Sequence, residues 1–158
     1  MKTNKNHTSI DPFTHEIDSI PKAAYQRIVI VGGGFAGLRL ARELKGTDYQ
    51  VVMLDKNNYH QFQPLFYQVA TSGLEPSAIS FPIRKVFKKH DNLFFRMMEL
   101  LEVDTAGKRV ITDKGFLTYD HLVLAMGGDT AYFGMKNVQK ICYAHEDRFR
   151  GTFFYGIS

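Results

Sequence analysis

The spacing of apolar positions changes several times along the chain. From Arg27 to Val31 they are nearly unbroken (Ile28-Val29-Ile30-Val31), which predicts a strand buried in a parallel sheet. From Phe35 to Lys45 they fall at Leu38, Ala41 and Leu44, with Arg39, Arg42 and Glu43 elsewhere, so a helix is expected. Gly46, Thr47 and Asp48 stop it, and Gln50 to Asp55 reads as a second strand. A polar stretch with turn residues Asn57-Asn58 leads into an aromatic segment, Phe62 to Val69, punctuated by Thr71-Ser72-Gly73. Ile79, Ile83, Val86 and Phe87 return to helical spacing, with Ser77 as N-cap of an amphipathic helix ending near Lys89. Asn92 to Met97 predicts a third parallel strand. Glu99 to Asp104, Arg109 to Thr112 and Phe116 to Tyr119 predict a β-meander, turning at Thr105-Ala106-Gly107-Lys108 and Asp113-Lys114-Gly115. His121 to Ala125 is a further buried strand, ending at Met126-Gly127-Gly128.

Chemistry enters at the first strand-to-helix junction. Gly32-Gly33-Gly34-Phe35-Ala36-Gly37 reads GxGxxG between a strand and a helix. Gly32 permits the tight turn, Gly34 lets the backbone approach a diphosphate, and Gly37 lets the helix pack on the strand. The helix N-terminus offers N–H groups and a positive dipole end to phosphates. Asp55 ends the second strand about 20 residues on, where an acid accepts hydrogen bonds from ribose hydroxyls. An acid there disfavours a 2′-phosphate, so NADP is the least favoured occupant. Spacing does not separate FAD from NAD. The competing reading is a glycine-rich turn in an unrelated α/β protein.

Composition narrows the rest. The 158 residues suffice for one domain with a core and are too few for two of ordinary size. The net charge of +4 is mild and gathers at Arg84-Lys85 and Lys88-Lys89-His90. This reads as a solvated helix face rather than a nucleic-acid surface. The single cysteine, Cys142, excludes an internal disulfide and suits a reducing cytoplasm. His60 and His121 lack metal-ligand spacing with other His or Cys, so no metal is expected. No segment has the roughly 18 consecutive apolar residues of a membrane helix. Residues 1–24 are polar and are expected to form a flexible leader.

VIVGGGFAGL, DKNNYHQFQPLFYQVATSGLEP and LTYDHLVLAMGG together resemble the N-terminal part of type II NADH dehydrogenases, over residues 26 to 139. These are FAD-containing, non-proton-pumping NADH:quinone oxidoreductases of the two-dinucleotide-binding flavoprotein superfamily. The resemblance implies a Rossmann-like FAD-binding domain over 25–139, a parallel sheet carrying a β-meander insertion. It assigns the FAD diphosphate to Gly32, Gly33, Gly34, Phe35, Ala36 and Gly37, and the adenosine ribose to Asp55 with Lys56 beside it. Gln63 lies where the family contacts the cofactor. Thr71 and Gly73 lie beside the isoalloxazine, although Thr71 also suits an ordinary turn. Leu100 offers a backbone contact near the adenine, and Gly127 lets the chain pass close to the flavin. Met126 stands where the family has a threonine. Tyr59, His60, Phe62, Phe66 and Tyr67 are expected to pack around a pocket. No side chain here is needed as an acid or base, and none is named catalytic.

The resemblance further implies NADH as electron donor, a membrane quinone as acceptor, peripheral attachment to the cytoplasmic face of the inner membrane, and a homodimeric full-length form. A second GxGxxG, expected of the NADH-binding part, does not occur from Gly128 to Ser158. Residues 140–158 depart from the family pattern, and the expectation is a truncated product of marginal stability. The rivals are a non-enzymatic remnant or bare FAD-binding module, another flavin-dependent disulfide-reductase-like enzyme, and a plain NAD dehydrogenase. Disulfide and sulfide:quinone reductases rely on cysteines that FQPLFYQVATSG does not contain.

Overall fold

The computed structural model describes residues 11–128 other than 23, 72, 89 and 90. The expected tail 140–158 and Cys142 lie outside them. The described residues fall into two compact units, one within 1–60 and 81–126, the other within 61–80 and 127–158. In chain order the elements are β1 (Arg27–Val31), α1 (Phe35–Glu43), β2 (Gln50–Asp55), β3 (Tyr59–Gln61), α2 (Phe66–Ala70), β4 (Ser80–Pro82) and α3 (Ile83–Val86). There follow β5 (Leu93–Met97), β6 (Leu100–Asp104), β7 (Arg109–Thr112), β8 (Gly115–Thr118) and β9 (His121–Leu124).

The first unit is built on a parallel sheet of order β5-β2-β1-β9. The chain steps outward from β1 through β2 to β5, then returns to the other side of β1 as β9. This reversal leaves a switch point at the C-terminal end of β1, where open α/β sheets bind their ligands. Between β5 and β9 comes the meander β6-β7-β8, antiparallel throughout. The four parallel strands and the meander stand where hydrophobic pattern and turn chemistry put them.

Alternation along β1 and β2 divides the core. Ile28, Ile30, Val51 and Met53 face α1 and α3, packing with Leu38, Ala41, Ile83 and Phe87. Val29, Val31, Val52 and Leu54 face the other way, against Val110 and Leu117 of the meander and against Ile17 and Ile20. Ile17 and Ile20 correct one expectation. Residues 15–21, placed in a flexible leader, are docked: the Ile17 N–H donates to Phe116 O at 3.0 Å and the Phe116 N–H to His15 O at 2.8 Å. A parallel bridge joins Glu16 to Phe116. Two isolated isoleucines in a polar stretch carry no periodicity; the edge of β8 and the open face of the sheet decide their burial.

Arg27 is buried at the start of β1. Its Nε donates to Gln50 Oε1 at 2.6 Å, one terminal nitrogen to Thr118 O and Oγ1 at 3.2 Å, and the other to Pro21 O at 3.1 Å. One guanidinium thus ties the N-terminal segment, the sheet and the meander together. Burial lowers its proton affinity, opposed by Glu16 and Asp120, but a guanidinium stays charged at physiological pH. Arg27→Met should cost about 2–3 kcal/mol, because it leaves Gln50 Oε1 without its donor while removing a buried charge. Urea denaturation checks this: the midpoint should fall with an unchanged slope.

The long helix expected from Ser77 to Lys89 is not formed as one piece. Glu75 precedes a 3-10 turn, Pro76–Ile79; β4 follows, and α3 starts after Pro82. Ser77 Oγ donates to Glu75 Oε2 at 3.4 Å instead of capping a helix. Pro82 breaks the periodic stretch: it has no N–H and holds Phe81 extended. The extended residues pair with β3 as a two-stranded ribbon. In the second unit, Gln63–Leu65 is a 3-10 turn leading into α2. Thr71 ends α2, its hydroxyl within reach of Tyr67 O (3.0 Å) and Gln68 O (3.3 Å). The Gly73 N–H donates to Gln68 O at 2.8 Å.

Candidate functional site

The glycine turn sits at the switch point because β1 delivers it there. The Gly32 N–H donates to Leu54 O at 2.8 Å and the Ala125 N–H to Val31 O at 2.7 Å, so the chain leaves β1 wedged between the ends of β2 and β9. Gly32 has φ +110°, and a Cβ there would stand 2.4 Å from Ala125 O. A Cβ on Gly37 would stand 2.0 Å from Gly32 O. Gly32 and Gly37 are therefore demanded by the protein's own backbone.

Gly34 is different. It is the N-cap of α1 in extended backbone, and a Cβ there would meet only Ala125 O, at 3.9 Å. Gly34, Phe35 and Ala36 are exposed, whereas Gly32, Gly33 and Gly37 are buried. No side chain caps the helix start, and its first turn carries no acid. The positive end of α1 is thus turned to solvent, with N–H groups that have no acceptor within the helix. This arrangement can bind an anionic group through backbone donors.

Gly33, to which the sequence assigned no mechanical reason, is crowded by side chains. A Cβ there would lie 2.5 Å from Ile83 Cδ1 and 3.1 Å from Asp55 Oδ2. Asp55 is accordingly brought to the turn: its Oδ2 accepts from the Gly33 N–H at 2.6 Å and its Oδ1 from the Asn57 N–H at 2.6 Å. The carboxylate organises the loop; lone pairs left over are what a ribose hydroxyl could use. Lys56 beside it is exposed. His60, expected only as pocket packing, has Nδ1 3.1 Å from Gly33 O and its ring edge-on to Phe35, centroids 4.9 Å apart. No spacing in the sequence announces either contact.

Leu100 begins β6 opposite Thr112 and packs on the meander side of the sheet. Gln63, Thr71 and Gly73 belong to the second unit described above, and Gly127 has φ +72° with nothing within 4 Å of an added Cβ. Met126 is exposed beyond β9.

Residues 26–151 match the family model described as pyridine nucleotide-disulphide oxidoreductase. The type II NADH:quinone oxidoreductase Ndh of Mycobacterium tuberculosis is 37% identical over 112 residues, which is 68% of this chain and 24% of that protein. The structure of NDH2 from Plasmodium falciparum in complex with NADH superposes with a TM-score of 0.67 at 24% identity, covering 73% of this chain and 25% of that one. The sulfide:quinone oxidoreductase of Aquifex aeolicus gives a TM-score of 0.62 at 27% identity, over 68% of this chain and 25% of its own. The chain spans about a quarter of the length of these relatives. The chain belongs to the pyridine nucleotide-disulphide oxidoreductase family, whose match takes in the glycine turn and the parallel strands that hold it, and it is similar to the N-terminal part of type II NADH dehydrogenases.

Proposed function

We propose that this chain supplies the FAD-binding part of an enzyme that passes electrons from NADH to a quinone. The observation that carries the reading is the glycine turn at the switch point. There the protein's own packing explains Gly32 and Gly37, and leaves Gly34 with an open approach beside an uncapped helix N-terminus. Gly34, Phe35 and Ala36 would hold the diphosphate through backbone N–H groups, and Asp55 would receive the adenosine ribose while keeping Gly33 in place. When bound, FAD supplies the two-electron carrier between donor and acceptor. NADH and quinone are proposed because the relatives' names and the NADH complex specify them for those proteins. Gln63, Thr71, Gly73 and Gly127 are proposed on the flavin side and Leu100 near the adenine. A quinone acceptor places the work at a membrane surface, with peripheral attachment; among the described residues no helix is long and apolar enough to cross a membrane.

Titrating the purified chain with FAD, followed by flavin fluorescence, tests the reading. FAD should bind with one-to-one stoichiometry, ADP should compete, and riboflavin, which has no diphosphate, should bind at least about tenfold more weakly. Equal affinity for FAD and riboflavin would remove the diphosphate grip from the explanation. A folded chain that takes up no FAD would end it.

A further inference from the structure

Gly33 is held at both ends of its backbone. Asp55 takes its N–H, and His60 Nδ1 meets its carbonyl oxygen. A carbonyl oxygen only accepts, so the second contact requires a proton on Nδ1, in the neutral Nδ1–H tautomer or the imidazolium. The edge-on contact with Phe35 steadies the ring from the first residue of α1. The described residues contain no cis peptide bond, so the C=O of Gly33 and the N–H of Gly34 point in opposite directions. Drawing the oxygen toward His60 therefore turns the Gly34 N–H away from it. Between two glycines a peptide unit rotates with little steric resistance. Rotated, it would present an oxygen instead of an N–H to an anion at the helix start.

We propose that His60 is a positioning residue for the diphosphate: by donating from Nδ1 to Gly33 O it fixes the Gly33–Gly34 peptide with its N–H available to the phosphates. It acts through the backbone and need not touch the ligand. The proposal rests on the FAD reading above and adds a residue to it.

Three substitutions separate donor position from bulk. His60→Asn keeps an N–H donor at the distance of Nδ1 from the backbone. His60→Gln moves the donor outward to the reach of Nε2, and His60→Phe keeps a ring against Phe35 with no donor. FAD and riboflavin affinities are measured by fluorescence titration of the full chain, with the melting temperature of the FAD-free protein as a check on folding. FAD affinity should fall about five- to tenfold in His60→Gln and His60→Phe and stay within about twofold of wild type in His60→Asn, while riboflavin affinity stays level in all three. Wild-type FAD affinity in both His60→Gln and His60→Phe overturns the proposal, as does an Asn variant as weak as Gln, or a parallel loss for riboflavin. Should His60→Phe not fold, the Asn and Gln pair decides alone. Absence of FAD binding by the wild type would remove the proposed function together with this inference; binding that is indifferent to His60 removes the inference only.

Discussion

Gly37→Ala is expected to lose most of the stability of the first unit. The added Cβ would lie 2.0 Å from Gly32 O, 3.2 Å from Gly32 C and 3.3 Å from Ile30 Cγ2. Two of these three neighbours are backbone atoms in the turn itself, so no side-chain rotation relieves the overlap. Helix propensity runs in favour of the substitution by about 1 kcal/mol, so the sign is decided by space alone. Relief requires α1 to lift from β1 by more than an ångström or so, which opens the packing of Leu38 and Ala41 against Ile28 and Ile30. The expected cost is about 3–5 kcal/mol, a large share of the stability of an ordinary domain. Urea denaturation of the soluble fraction measures it. A wild-type midpoint would show that the helix does not seat on the turn as described.

Much of this frame is readable from local pattern. The runs Ile28–Val31 and Val51–Leu54 are apolar without a break because both faces of the sheet are covered, and the meander shows itself through its own turns. The unreadable parts are those whose partners lie far away in the chain. Arg27 looks like the polar edge of an apolar strand, yet its acceptors are at positions 21, 50 and 118. Residues 79–87 have helical spacing over about two and a half turns, but Pro82 and the pairing of β4 with β3 override it. The site divides in the same way. GxGxxG and the acid at the end of β2 are visible as a motif, since strand, turn and helix are contiguous. That Asp55 turns back to Gly33, and that His60 meets the same residue, follows from the way the segment after β2 folds over the turn. The motif gives Gly32, Gly34 and Gly37 different roles, and their surroundings differ as well. An added Cβ would strike backbone at Gly32 and Gly37, whereas at Gly34 it would meet only Ala125 O, at 3.9 Å.

That distinction gives the sharpest contrast with Gly37. Gly34→Ala should leave the fold intact and weaken FAD binding on the order of a hundredfold. Its backbone, φ −75° and ψ −167°, suits any L-residue, and the new methyl would meet only Ala125 O at 3.9 Å. Gly caps a helix somewhat better than Ala, so the expected stability change is about 0.5 kcal/mol. Any ligand lying against the helix start, by contrast, would meet the methyl where it needs the backbone. Moving a diphosphate outward by roughly 1–1.5 Å stretches its bonds to the first-turn N–H groups beyond useful length, and losing about two charge-assisted bonds accounts for the hundredfold. Denaturation of the FAD-free protein and FAD titration, run on the same preparation, give the two numbers separately. Riboflavin should be affected far less, because it has no phosphate to displace. Undiminished FAD affinity in folded Gly34→Ala would mean that the flavin nucleotide, if bound at all, does not rest on this helix.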